Sequence, residues 1–249
     1  MKMVKKIFII IGLIILVSYL AIAGVVYRIG NSPATCKDIS VHINDSTDQC
    51  FVTVADVRQL LRSAKILPIG QPFDSINTLA MSEVLERNKL IKKAHCYHTP
   101  DSILRIDIEQ RHPILRVKSS SQGDFYVDRE GEIMPVQNIV PMQIPLATGF
   151  ISKEKASTDL FNLAQFLRDD KFWKQEVTQI YVNNNGDIEL VPRVGSHTIL
   201  IGTSENCEKK LDNVRKFYDK VLSRKGWNYY KIINVKFDNQ VVGEKFDKK

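Results

Sequence analysis

Apolar positions follow three regimes along the chain. From Ile7 to Tyr27 they are nearly unbroken (IFIIIGLIILVSYLAIAGVVY), interrupted by Ser18, two Gly and two Tyr. At about 1.5 Å per residue, such a run spans roughly the 30 Å hydrocarbon core of a bilayer. A transmembrane helix is therefore expected over residues 7–27. Ala21-Ile22-Ala23 resembles a signal-peptidase site. The apolar run continues past it to Tyr27, which favours an uncleaved anchor. Lys2, Lys5 and Lys6, with no acidic neighbour, predict a cytoplasmic N-terminus, a single pass and an exported body.

The second regime mixes periods of two and of three to four. Residues 28–35 read as a linker, broken by Gly30, Asn31, Ser32 and Pro33. Ile39, Val41 and Ile43 alternate as in a strand. The 44–49 stretch reads as a loop. Thr53 and Asp56 form a capping-box signature before Val54, Val57, Leu60, Leu61 and Ala64 at helical spacing. A second helix is expected over about 75–88. Two strand patterns then flank Thr99-Pro100-Asp101-Ser102, and Pro113 is read as ending the second. This strand-helix-helix-strand-strand order predicts one compact α+β module over 36–113.

The third regime, 114–243, is strand-rich with helices. Hairpins are expected at Arg129-Glu130-Gly131 and at Asn184-Asn185-Gly186. Pro141, Pro145 and Gly149 mark an irregular crossing. Helices are expected near 157–170 and 205–224, with a strand between them at His197–Gly202 (HTILIG) and a closing strand that runs through Ile233, Val235 and Phe237. Residues 244–249 are left as a tail. The fold class is thus α+β behind one membrane helix.

Charge changes the picture little. The net charge is +7, but Lys2, Lys5, Lys6 and Arg28 supply four of the 35 basic residues, leaving 31 against 28 acidic ones in the body. A nearly balanced body without a basic block is a poor nucleic-acid binder. Four cysteines stand in a compartment where disulfides form. Cys36 and Cys50 would close a 15-residue loop, worth about 3 kcal/mol. Three complete pairings are possible, buried free thiols are the alternative, and spacing alone does not choose.

Candidate chemistry is sparse. His95, Cys96, Tyr97 and His98 form the one cluster of metal-type ligands, yet a strand sends two to each face, which does not assemble a four-ligand site. Asp128 and Glu130 flank a turn and are read as turn residues rather than an acid–base pair. No phosphate loop, nucleophile elbow or HExxH is present. No catalytic residue, metal or cofactor is therefore assigned.

The layout resembles the bacterial cell-division family FtsQ, called DivIB in some lineages, over about 35–245 plus the anchor. Ile91, Ala94, Leu104, Ile106, Ile108, Glu109, Arg111 and Pro113 match the hairpin that ends in Glu-x-Arg-x-Pro. Asp128 and Gly131 match the Asp-x-x-Gly turn, and Ile144–Gly149 (IPLATG) matches the Leu-Pro-x-x-x-Gly passage. Val235-Lys236-Phe237 departs from the Asp-Leu-Arg-Tyr stretch often found near the family's end, and the cysteines are untypical.

The resemblance implies a POTRA domain followed by a β domain. It further implies a non-catalytic scaffold at the division septum of the inner membrane, with its bulk in the periplasm, binding the coiled-coil proteins FtsB and FtsL and no small-molecule substrate. Mapped onto this chain, the partner site would be a C-terminal edge strand around Lys236, Phe237, Asn239, Gln240, Val241 and Val242, with Lys236 and Lys245 steering an acidic segment. The same apolar residues could instead close the domain's own core. Two rival readings are a POTRA component of an outer-membrane assembly or secretion machine, and a tethered periplasmic enzyme. The short strand-and-helix region after the module fits a barrel poorly, and a hydrolase would need convergent titratable residues.

Overall fold

Helix α1 spans Lys2–Gly30. The structure is a computed structural model describing residues 2–30, 34–44, 51–136, 142–237 and 239–246, without the side chains of 2–10 and 26–30. The 45–49 part of the expected loop, Cys50, Pro141 and the end of the tail from residue 247 lie outside it. The described side chains of α1, residues 11–25, are exposed. Those 15 residues are shorter than the roughly 20 a bilayer core requires. Among the described residues no helix is long and apolar enough to cross a membrane; the expected span 7–27 extends beyond them.

The first sheet is built from β1 (Asp38–Asn44), β2 (Ile91–His98) and β3 (Ile103–Gln110), in the order β1-β3-β2. β1 runs parallel to β3, and β2 is antiparallel to it. A parallel pair needs a long crossover. Here α2 (Val54–Ser63) and α3 (Thr78–Glu86) lie within it. Thr53 and Asp56 cap α2 reciprocally, Thr53 Oγ1 accepting from Asp56 N and Asp56 Oδ2 from Thr53 N, as their spacing requires. Val57, Leu61, Met81 and Leu85 face Leu104, Ile106 and Ile108 in one fully buried cluster. Each such side chain contributes about 1.5–3 kcal/mol by leaving water. The second expected helix is shorter than 75–88, because Phe73–Ser75 forms a 3₁₀ turn and Asn77 then caps α3.

The second sheet holds nine strands: β4 (Pro113–Ser119), β5 (Gly123–Asp128), β6 (Ile133–Pro135), β7 (Leu146–Gly149), β8 (Val177–Val182), β9 (Ile188–Pro192), β10 (Thr198–Gly202), β11 (Tyr230–Asn234) and β12 (Val242–Lys245). Their order is β12-β11-β10-β9-β8-β7-β4-β5-β6. The parallel neighbours β7/β8 and β10/β11 are again joined through helices. Between β7 and β8 lie α4 (Lys153–Lys155), a π-helical turn Ala156–Leu160, α5 (Phe161–Asp169) and α6 (Trp173–Glu176). Between β10 and β11 lie α7 (Cys207–Phe217), a π-helical turn Tyr218–Leu222 and α8 (Ser223–Lys225). Leu163, Leu167, Leu211 and Val214 from these helices pack on Ile180, Leu190 and Ile199 of the sheet.

Three expectations need correction. Pro113 does not end a strand; it opens β4, where the missing N–H is tolerated at a first position. The irregular crossing contains β7, a four-residue strand lying between β4 and β8. The closing segment is not one strand: it breaks after Asn234 and returns as β12, antiparallel to β11. Phe237 therefore does not continue the face of Ile233 and Val235.

Candidate functional site

The C-terminal end of the sheet is held from the inside outwards. Ile233 is fully buried and Val235 nearly so, and Val235 N donates to Leu200 O at 2.9 Å. Asn234 Oδ1 then accepts from Lys236 N at 2.9 Å and turns the chain. Lys236 lays its stem over Gly202, where a Cβ would sit 2.7 Å from its Cγ, and its ammonium meets Asp187 Oδ2 at 2.8 Å. The connection to β12 is thereby pinned to the end of β10 and the β8–β9 hairpin. That ion pair was not foreseeable, because Asp187 lies 49 positions away in the chain.

Beyond the pin, the predicted partner residues separate. Phe237 is 59% exposed, Asn239 adopts φ of 61° in the left-handed region, and Gln240 N reaches Phe237 O at 3.5 Å. These three belong to the β11–β12 turn, while Val241 packs against the core cluster. Val242, half exposed, begins β12. β12 pairs with β11 on one side and is the last strand of the sheet, so its other side presents backbone groups without a strand partner among the described residues. Gly243 sits under Tyr230, and a Cβ there would come within 2.5 Å of the ring. Lys225 and Lys245 both lie over the Tyr229 ring, at 5.6 and 5.2 Å from its centroid. The Tyr229 hydroxyl raises the Lys245 pKa, keeping it a cation beside the edge.

The opposite end of the same sheet is closed. β6 is three residues long, and Met134 on it is buried in the first domain's core together with Tyr126 of β5. One end of the large sheet thus anchors to the first module, while the other carries no further strand among the described residues.

The remaining candidates resolve into structure. On β2, Tyr97 Oη donates to Asp107 Oδ2 at 2.9 Å, while His98 packs on Phe73 at 5.3 Å between ring centroids. Burial raises the Cys96 pKa, with Ser82 as its hydrogen-bond partner. Among the described residues no group of three metal-type ligands converges. Asp128 is buried against Arg111, and Glu130 pairs with Lys92 at 3.0 Å, so the two carboxylates serve different partners. Cys36 is a buried free thiol whose Sγ donates to Asp38 O at 3.3 Å. Its expected disulfide partner, Cys50, lies outside the described residues.

Residues 34–109 match the family described as a POTRA-like domain, and residues 112–244 match the one described as FtsQ/DivIB, C-terminal related. No curated protein matches the chain. The second match covers more than half of the 249 residues, and the two together take in both sheets. The family points to a role in cell division and is generally non-catalytic. The chain, a POTRA-like module joined to a strand-rich domain, belongs to the FtsQ/DivIB family.

Proposed function

We propose that this protein is a membrane-anchored, non-catalytic scaffold of the division machinery that receives a coiled-coil partner of the FtsB/FtsL type by strand addition at β12. The observation that supports it most is the asymmetry of the nine-stranded sheet: β6 is short and covered, whereas β12 is exposed and flanked by cations. An unpaired edge supplies main-chain donors and acceptors for an added strand, and exposed Phe237 and Val242 supply side-chain contacts. Lys245 favours an acidic incoming segment and speeds its approach. The positive N-terminal residues and the apolar run 7–27 support a single-pass anchor in the inner membrane, with the two sheets in the periplasm at the septum.

Co-purification of the full chain with the division proteins of its own cell tests the reading. Recovery of FtsB-type and FtsL-type partners, lost for Phe237→Ala with Val242→Lys, is the expected result. Recovery of outer-membrane assembly factors in their place would refute it.

A further inference from the structure

A cavity of about 220 Å³ lies at the junction of the two sheets, remote in sequence from the β12 edge. Its floor is apolar, formed by Ile114 of β4, Leu167 of α5 and Trp173 of α6, all members of the second core. Its rim is cationic, carrying Arg129, Arg168 and Lys174, and no Asp or Glu lines it. Arg168 is paired with its neighbour Asp169 at 2.8 Å. For Arg129 and Lys174, no ion pair is found among the described residues.

A second cavity of about 570 Å³ shares Arg129, and the contrast between the two is informative. In that neighbour, Lys92 stands between Glu109 and Glu130 at 3.0 Å from each, so its charge is already answered. On the other side of Arg129, one carboxylate, Asp169, serves both Arg168 and Lys174, so the rim keeps a net positive charge beside an apolar floor. Such a mouth, shielded on one side from water, strengthens the pull on a carboxylate, and a guanidinium holds it by a charge-assisted, directional hydrogen bond. The floor selects for an apolar group beside that carboxylate. A cavity of about 150 Å³ can hold a benzene ring, so this one has room for a large aliphatic or aromatic side chain.

We propose that this cavity binds an acidic peptide segment of a partner protein, with one large apolar side chain on Ile114, Leu167 and Trp173 and its flanking carboxylates on Arg129 and Lys174. Its volume suits one side chain rather than the acyl chain of a lipid. The site is separate from the β12 edge.

The test is calorimetric titration of the full chain, in zwitterionic nanodiscs, with the peptide acetyl-Asp-Glu-Leu-Glu-Asp-amide. Saturable one-to-one binding is expected. It should weaken at least tenfold when Asn and Gln replace the peptide's acids, when Ser replaces its Leu, and in an Arg129→Glu, Lys174→Glu chain whose circular dichroism is unchanged. A Val242→Lys chain should bind the peptide as well as the wild type does, so failure of the edge-strand reading and failure of this one are distinguishable. Absence of saturable binding, or equal binding by the double variant, would overturn the proposal. So would binding of phosphatidylglycerol vesicles, but not the peptide, in a manner dependent on Arg129 and Lys174.

Discussion

Arg111 Nη1 lies 2.6 Å from Asp128 Oδ2, tying the chain just after β3 to the end of β5 at the junction of the two sheets. The Asp128 side chain is fully buried, and its other oxygen accepts from Glu130 N at 2.9 Å and Glu132 N at 2.8 Å. One carboxylate therefore shapes the β5–β6 turn and fastens the two domains. The Glu-x-Arg-x-Pro and Asp-x-x-Gly passages, separate in sequence, meet at this bond. Gly131, with φ of 83°, completes the turn.

Removing one partner of a buried ion pair strands the other. Asp128→Ala should cost roughly 3–5 kcal/mol in urea unfolding. Asp128→Asn keeps an acceptor for the turn and should cost less. Equal stability of Asp128→Ala and the wild type would mean that Arg111 finds solvent without penalty.

The parts of the fold that were legible are those written by local chemistry. Thr53 with Asp56 gave the start of α2, and Asn184-Asn185-Gly186 gave the β8–β9 hairpin, in which Gly186 has φ of 83° and Asn183 Oδ1 accepts from Asp187 N. β7 was illegible because its four residues carry no alternation; long-range pairing with β4 and β8 makes it a strand. Gly149 marks that contact, since a Cβ there would sit 2.0 Å from Val182 O. The site was half legible. Apolar alternation located β11, but the break after Asn234 goes with Val235 N bonding Leu200 O and with the Lys236–Asp187 pin, partners far along the chain. Strand sequence near the terminus was therefore recognised, while the residues on its exposed edge were displaced towards the end.

Gly243 should be intolerant of a side chain. Gly243→Val would push against the Tyr230 ring at 2.5 Å and unseat β12 from β11. The expected readout is rapid amide exchange across 242–245 with an almost unchanged unfolding midpoint, because β12 buries little.

Acid should weaken the second domain through His197. This ring is buried, and its Nε2 is 2.8 Å from Tyr218 Oη. Burial lowers its pKa, the Trp227 backbone opposing weakly. The unfolded state, with the ordinary value near 6.5, then binds the proton more readily than the folded state. Stability conferred by neutral His197 is complete above that value and declines as pH falls below it. Urea midpoints at pH 7.5 and 5.5 should differ more for the wild type than for His197→Gln; an identical pH dependence would refute this origin.

Strand addition at β12, as proposed, should be visible in amide hydrogen exchange. The full chain is compared alone and with the extracytoplasmic segment of the FtsB-type protein from its own cell. Slowed exchange of the β12 amides, residues 242–245, on adding the partner is the predicted result. Partner binding with exchange in β12 unchanged would contradict it.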